Sequence, residues 1–296
     1  MKKSDVASLL ALAALWGASY LFMRICAPQF GALALAGARA FGAALLLLPV
    51  LALGRDGGLG ALRAHWRPLL VVGLANSALP YLLFAVAALS INASLSAIFN
   101  AATPLYAALI GMLWLGEGIG RPRAAGLALG FAGVMWLVWD SAGFKGGAAD
   151  LATGWAVAAC VAATVLYAFS AHYSKRRLAG VPPLAVATGS QLAAAIMLAL
   201  PALAWRPQAM PSPDAWLALF GLTAACTALA YVLFFRLIAR VGASNTMTVP
   251  FLVPAFGVLW GVLFLDESFS AMMAAGSGLI VLGTALTTGM LGVRRR

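Results

Sequence analysis

Between residues 6 and 291 the chain reads as ten runs of mostly apolar residues, each close to the roughly 20 that a helix needs to cross a bilayer's hydrocarbon core. Punctuation by proline, glycine and charge sets their limits at 6–26, 32–53, 68–89, 93–115, 122–139, 152–172, 183–204, 215–238, 244–265 and 271–291. Backbone that crosses lipid has to satisfy its own N–H and C=O groups, so each run is expected to be a helix, and the fold class an all-α integral membrane protein. The longest connection, Asp140 to Leu151, leaves no room for an extramembrane domain. Composition agrees, because 64% of the 296 residues are hydrophobic, and 19 basic and 8 acidic side chains cannot cover a soluble protein of this size. A soluble enzyme, a nucleic-acid binder and a disordered regulator are excluded on this ground.

The first run follows Met1-Lys2-Lys3, as a signal peptide would. Val6 to Met23 is nevertheless long enough to span, Arg24 follows it, and no small-x-small cleavage site stands out, so it is expected to remain as span 1. Cys26, Cys160 and Cys226 are scattered through apolar stretches without metal-ligand spacing and read as small buried hydrophobes. No metal and no cofactor is expected.

The net charge of +11 finds its explanation in orientation. With the N-terminus inside, the inner segments carry Lys2, Lys3, Arg55, Arg63, Arg67, Arg121, Arg123, Lys175, Arg176, Arg177, Arg236, Arg240, Arg294, Arg295 and Arg296, while Arg24, Lys145 and Arg206 fall outside and Arg39 lies within a span. The bias follows the positive-inside rule, and an even number of spans puts both termini in the cytoplasm. The expected location is a bacterial inner membrane, and the expected partners are a small-molecule substrate and the lipid bilayer, with no nucleic acid.

Displacing the chain against itself by 150 residues aligns Tyr81–Ile119 with Tyr231–Phe269 without a gap. Identical pairs include Tyr81/Tyr231, Phe84/Phe234, Ser94/Ser244, Pro104/Pro254, Gly111/Gly261 and Glu117/Glu267, and the register continues through Gly126/Gly276 and Gly133/Gly283. Apolar composition alone pairs leucines, but it does not place Tyr, Pro, Ser and Glu in register, so the chain is an internal duplication, with repeats expected over 1–142 and 151–296. Five spans per half is an odd number, so the second copy is upside down relative to the first. Inverted repeats of this kind are the architecture of secondary transporters, which open a midplane site first to one side and then to the other.

Two five-span halves, each closing on a proline-containing span that ends Leu115-Gly116-Glu117 or Leu265-Asp266-Glu267, together with Leu15-Trp16-Gly17-Ala18-Ser19 and Ala38-Arg39, resemble the drug/metabolite transporter superfamily and its ten-span EamA-type exporters. Within it the chain is similar to bacterial exporters of amino acids and related metabolites, an aromatic amino acid branch among them. The resemblance covers nearly the whole chain. It implies a ten-helix basket, two inverted five-helix repeats around a central cavity lined mainly by spans 1, 3, 4, 6, 8 and 9, and export of small metabolites.

The eight acids, Asp5, Asp56, Glu117, Asp140, Asp150, Asp214, Asp266 and Glu267, are all terminal to spans or in loops. A carboxylate deep in the membrane is the usual proton relay, so a cation/proton antiporter is disfavoured. Arg39 lies about seven residues into span 2, roughly 10 Å deep, and either holds a substrate carboxylate or snorkels and caps carbonyls for structural reasons. His172, near the inner end of span 6, is a candidate gate or an interface histidine. Pro80, Pro104, Pro250 and Pro254 interrupt spans 3, 4 and 9, and Pro80, Pro104 and Pro254 are candidate hinges. Polar residues cluster around them, with Asn76, Ser77, Ser96, Asn100 and Thr103 in the first half and Thr223, Thr227, Thr246 and Thr248 in the second. Asn76 and Asn100 are expected to face the cavity, with helix-to-helix hydrogen bonding as the alternative. With Trp16, Tyr20, Tyr81, Phe99, Tyr167, Tyr231 and Phe251 they form the candidate substrate-binding set, a group of aromatics and amides suited to an amphipathic solute.

Small-residue pairs at Ala107/Gly111, Gly126/Gly130 and Gly257/Gly261 are expected to bring helices close, within a monomer or across a homodimer. A membrane enzyme is disfavoured: Gly276-Ser277-Gly278 with His172 is the nearest approach to a serine protease, and it lacks the nucleophile context and an orienting acid. Other solutes remain as alternatives, namely nucleosides, drugs or sugar phosphates, as does a channel or scramblase. A single deep arginine is thin provision for a phosphate.

Overall fold

The computed structural model describes residues 3–54, 58–118, 120–141, 148–242, 246 and 249–290. Lys2, Arg55, Asp56, Lys145, Thr248 and Arg294 to Arg296 lie outside the described residues. All ten expected spans are built of helix over most of their described parts. Spans 1, 2, 5, 6 and 7 are Lys3–Phe30, Ala32–Leu53, Arg121–Ser141, Ala148–Arg177 and Pro183–Ala204. Span 3 runs over Trp66–Ala87, span 4 over Ala93–Trp114 and span 8 over Pro213–Ile238. The described helices of spans 9 and 10, Val249–Leu265 and Ala271–Thr287, hold 17 residues each, which already meets the lower limit for crossing. Two differences from the sequence reading stand out. Span 6 continues to Lys175-Arg176-Arg177, whose positive charges complement the carbonyl end of the helix dipole. A short helix, Gly58–Ala64, occupies part of the connection before span 3.

Local sequence sets the ends. Asn92, Ser212 and Ser270 cap spans 4, 8 and 10, accepting from the backbone N–H groups of Leu95, Ala215 and Met273. Spans 4 and 9 close alike: Gly116 (φ 66°) and its repeat mate Asp266 (φ 51°) are left-handed, and the N–H groups of Glu117 and Glu267 then reach back to the carbonyls of Gly111 and Gly261.

The packing obeys the duplication. Span 1 packs on span 9 and its mate span 6 on span 4, span 3 packs on 6 as 8 does on 1, and span 2 meets 8 as 7 meets 3. Spans 2 and 7, 4 and 9, and 5 and 10 pair with each other. Exchanging the halves therefore carries these pairings into one another, as a two-fold axis in the membrane plane requires. Glycines allow the closest crossings. A Cβ on Gly283 would strike the backbone of Gly126 and Gly130, and one on Gly17 would lie 2.8 Å from the Gly257 nitrogen.

Spans 3 and 8 are each interrupted at mid-depth by π-helical turns, Leu74–Ala78 and Gly221–Leu229, which overlap under the 150-residue displacement. In span 3 the turn precedes Pro80, which has no N–H to give the ladder. In span 8 no proline follows the turn; instead the Thr227 hydroxyl donates to the Leu222 carbonyl five residues back (2.8 Å). Span 4 breaks at Ala101–Ala102, with Pro104 opening its second half and the Thr103 hydroxyl donating to the Asn100 carbonyl (2.7 Å). Pro254 differs from its mate: span 9 passes through it as a continuous helix.

Candidate functional site

The helix interruptions surround a cavity of about 340 Å³. Its wall is built from stripes at helical spacing: Trp16, Tyr20 and Met23 on span 1, Asn100 and Thr103 on span 4, Tyr167 and Ala171 on span 6, Thr227, Tyr231 and Phe234 on span 8, Pro250 and Val253 on span 9. Asn76, Tyr81 and Phe84 line it from span 3, and Arg39 enters from span 2. The repeat mates Tyr81/Tyr231 and Phe84/Phe234 thus stand on opposite halves of one wall, whereas Arg39 has glycine, Gly189, at the equivalent position. The site is symmetric in these two aromatic pairs and asymmetric in its charge.

Arg39 is 8% exposed and neither snorkels nor caps a carbonyl. Its Nε donates to the Thr227 hydroxyl (3.1 Å), an Nη approaches the Met23 sulfur at 3.6 Å, and the guanidinium lies 3.9 Å over the Tyr81 ring centroid. No carboxylate among the described residues is within ion-pair distance of it, since the ion pair between described side chains joins Asp5 to Arg240 (3.2 Å) at one end of the basket. A guanidinium carries five N–H donors, and Thr227 and Met23 engage two of its nitrogens.

Asn76 satisfies both readings of its role, because it lines the cavity and also donates to the Tyr231 hydroxyl (3.2 Å), tying span 3 to span 8. Asn100 faces the cavity at the break in span 4, where its side-chain oxygen lies 3.4 Å from the Thr103 hydroxyl. Aromatic contacts join the stripes, Trp16 with Phe234 at 5.3 Å, Tyr20 edge-on to Phe84 at 5.5 Å, and Phe84 stacked with Tyr167 at 6.1 Å.

Three expectations are corrected. Phe99 is 1% exposed and packs in the hydrophobic core, because the residue beside Asn100 on a helix points about 100° away from it. Phe251 is half-buried and not on the wall; its neighbour Pro250 is. His172 does not line the cavity either: its Nε2 is 2.8 Å from the Ala107 carbonyl of span 4, and Ala171 takes the wall position. Among the prolines, Pro80 and Pro104 open helical segments after interruptions, and Pro254 interrupts nothing.

Met23, Cys226 and Thr227 line the cavity without having been singled out for it. Met23 follows Trp16 and Tyr20, and Thr227 precedes Tyr231 and Phe234, at the helical spacing, and both were open to that inference; Cys226 depends on the π turn, which moves residues off the ordinary period. All three cysteines are unpaired and buried, as expected. Among the described residues no group of His, Cys, Asp and Glu could hold a metal.

Comparison with known proteins adds an independent line. The profile of the EamA-like transporter family matches residues 4–139 and again 154–289, two stretches displaced by the same 150 residues that align the chain with itself. The chain is 28% identical over 295 residues to the uncharacterized transporter YvbV of Bacillus subtilis (strain 168), covering 97% of this chain and 92% of that one. It is 27% identical to the uncharacterized inner membrane transporter YedA of Escherichia coli (strain K12), covering 95% and 89%. A protein of known crystal structure superposes with a TM-score of 0.66 at 22% identity over 98% of both chains, a likeness of fold.

Proposed function

From the premise that this chain belongs to the EamA-like transporter family, whose profile covers both of its halves, we propose that it is an inner-membrane exporter of small metabolites, foremost amino acids with apolar or aromatic side chains. It works by alternating access between the inverted repeats, and the mid-depth cavity is the substrate site. The observation that carries this reading is Arg39, a buried guanidinium at the wall of a cavity of about 340 Å³ with no carboxylate partner among the described residues. A cation in a low-dielectric site without a counter-ion favours an anion that brings one, and a carboxylate matches the guanidinium fork. The aromatic stripes take the side chain. The ammonium meets the side-chain oxygens of Asn76 and Asn100 and the faces of the tyrosines, all neutral groups. The volume sits at the small end of the range for ligand sites, about 300–1,000 Å³, as suits a solute of this size.

The test is purified protein in liposomes offered amino acids, nucleosides and sugar phosphates. Saturable, counterflow-sensitive flux of an amino acid is expected, and flux without saturation would mark a channel or scramblase instead. Because no acid of the described residues lines the cavity, the flux is expected to ignore a pH gradient. Saturable movement of sugar phosphates alone, or of nothing in the panel, would overturn the substrate assignment.

A further inference from the structure

Span 7 contributes nothing to the cavity wall, yet its one long polar side chain is turned toward the site. Gln191 is fully buried; its Nε2 donates to the hydroxyls of Ser77 (2.9 Å) and Tyr81 (3.1 Å), while its Oε1 has no partner among the described residues. Ser77 lies in the π turn of span 3, and under the 150-residue displacement it is the mate of Thr227 in the π turn of span 8. The arrangement repeats that of Arg39. From span 2, Arg39 reaches the Thr227 hydroxyl and covers Tyr81; from the equivalent span 7, Gln191 reaches the Ser77 hydroxyl and holds the same Tyr81 by its phenol. Each π turn is thus held by one long polar side chain from the other half, charged in one case and neutral in the other, and both meet at one tyrosine.

We propose that Gln191 is a positioning residue for the substrate site: by fixing Ser77 and the Tyr81 hydroxyl it keeps the Tyr81 ring beneath Arg39, so that the guanidinium presents its free N–H groups to the cavity. The proposal rests on the reading of the cavity as a carboxylate site, and it names a residue outside the wall that sets the wall's charge-bearing element. Neither partner alone does this. The Tyr81 ring is buried among Ala36, Ala40, Ala78, Ala194 and Leu198, and without the Gln191 bond to its phenol it loses the contact from span 7 that sets its angle beneath Arg39, whereas Ser77 anchors the backbone turn. Gln191 donates to both from a span that packs along span 2 and against the π turn of span 3.

Two measurements on the intact protein test it. In liposomes, Gln191→Met, which keeps the volume and removes the hydrogen bonds, is expected to raise the half-saturating amino acid concentration about three- to tenfold, part of the roughly thirtyfold worth of a desolvated cation–π contact, with maximal flux retained. Added to Tyr81→Phe, which removes the hydroxyl that Gln191 holds, it is expected to change little further. Full additivity of the two substitutions overturns the proposal. The second readout needs no substrate: phenylglyoxal, which modifies guanidinium groups, is applied and the modified arginines are mapped by mass spectrometry. Modification of Arg39 is expected to quicken about three- to tenfold in Gln191→Met as the guanidinium loses its ring, while exposed Arg206 serves as internal reference. An unchanged Arg39 rate overturns the proposal even if no solute in the panel is transported, whereas absent flux with a changed rate overturns only the functional reading. Should Gln191→Met not accumulate, Tyr81→Phe, which keeps the ring and removes the hydroxyl that Gln191 holds, carries the same labelling test with the same increase expected.

Discussion

At the scale of single residues, charge in this protein is scarce and therefore specific. Arg39 sits over Tyr81 and against Thr227 with no described acid near it, so its replacement touches the proposed ligand contact directly. Arg39→Gln is expected to raise the half-saturating concentration of a transported carboxylate about ten- to hundredfold, the worth of a charge-assisted hydrogen bond, while Arg39→Lys retains part of the affinity because it keeps the charge and loses the fork. Uptake curves in liposomes check both, and equal affinities for all three proteins would remove Arg39 from the site. Arg39 was legible because a charge stands out in an apolar run. The aromatics were only partly so. Trp16, Tyr20, Tyr81, Tyr167 and Tyr231 reach the wall, whereas Phe99 and Phe251 turn elsewhere. A helix that is apolar on every side carries no periodic signal for which face meets a cavity, so an aromatic's identity does not give its direction.

At the scale of elements, the ends of spans 4 and 9 tie the halves together. Glu267, just past span 9, accepts from the N–H of Ala93 (2.6 Å) and from the N–H (2.9 Å) and hydroxyl (2.6 Å) of Ser94 in the first turn of span 4. A carboxylate at a helix N-terminus meets both unpaired donors and the positive end of the dipole. Glu267→Ala is therefore expected to cost about 1.5–3 kcal/mol of stability and Ser94→Ala less, read as the drop in Tm in detergent. The duplication marked Glu117 and Glu267 as register points but could not assign this contact, because the partner lies 173 residues away and no local pattern encodes it. Glu117 folds back against Gly111 as Glu267 does against Gly261, while Ala243 and Ser244, the mates of Ala93 and Ser94, lie outside the described residues. Small residues were legible as close-approach sites, but not their partners. Spans 5 and 10 cross where a Cβ on Gly283 would lie 2.6 Å from the Gly126 carbonyl and as tightly against Gly130. Gly283→Ala forces backbone apart and is expected to cost about 1–3 kcal/mol. Gly278→Ala, with nothing within 4 Å, is expected to be neutral or slightly stabilising in the same Tm measurement.

At the scale of the whole molecule, the 150-residue displacement read from sequence accounts for the symmetric pairing of helices, since span 1 meets span 9 as its mate span 6 meets span 4. What the sequence could not supply was the local irregularity, a π turn in both halves but a break in span 4 alone, because proline, threonine and packing act together there. The structure also fixes which ends belong together. Asp5 at the start of span 1 meets Arg240 at the end of span 8, and Arg24 at the other end donates to the carbonyl of Ala88 that closes span 3 (2.5 Å). Arg63, Arg67, Arg121, Arg123, Lys175, Arg176, Arg177, Arg236 and Arg240 thereby share the end where the chain enters, and Arg24 and Arg206 the opposite one. The positive-inside rule predicts that this basic end faces the cytoplasm, because short basic loops resist translocation. Green fluorescent protein fused after Arg296 is expected to fluoresce, and alkaline phosphatase fused at Pro211, in the loop before span 8, to be active. The reverse pattern would place the basic end outside, and Glu267 with its span 4 contact would then close the cytoplasmic mouth of the carrier instead of the outer one.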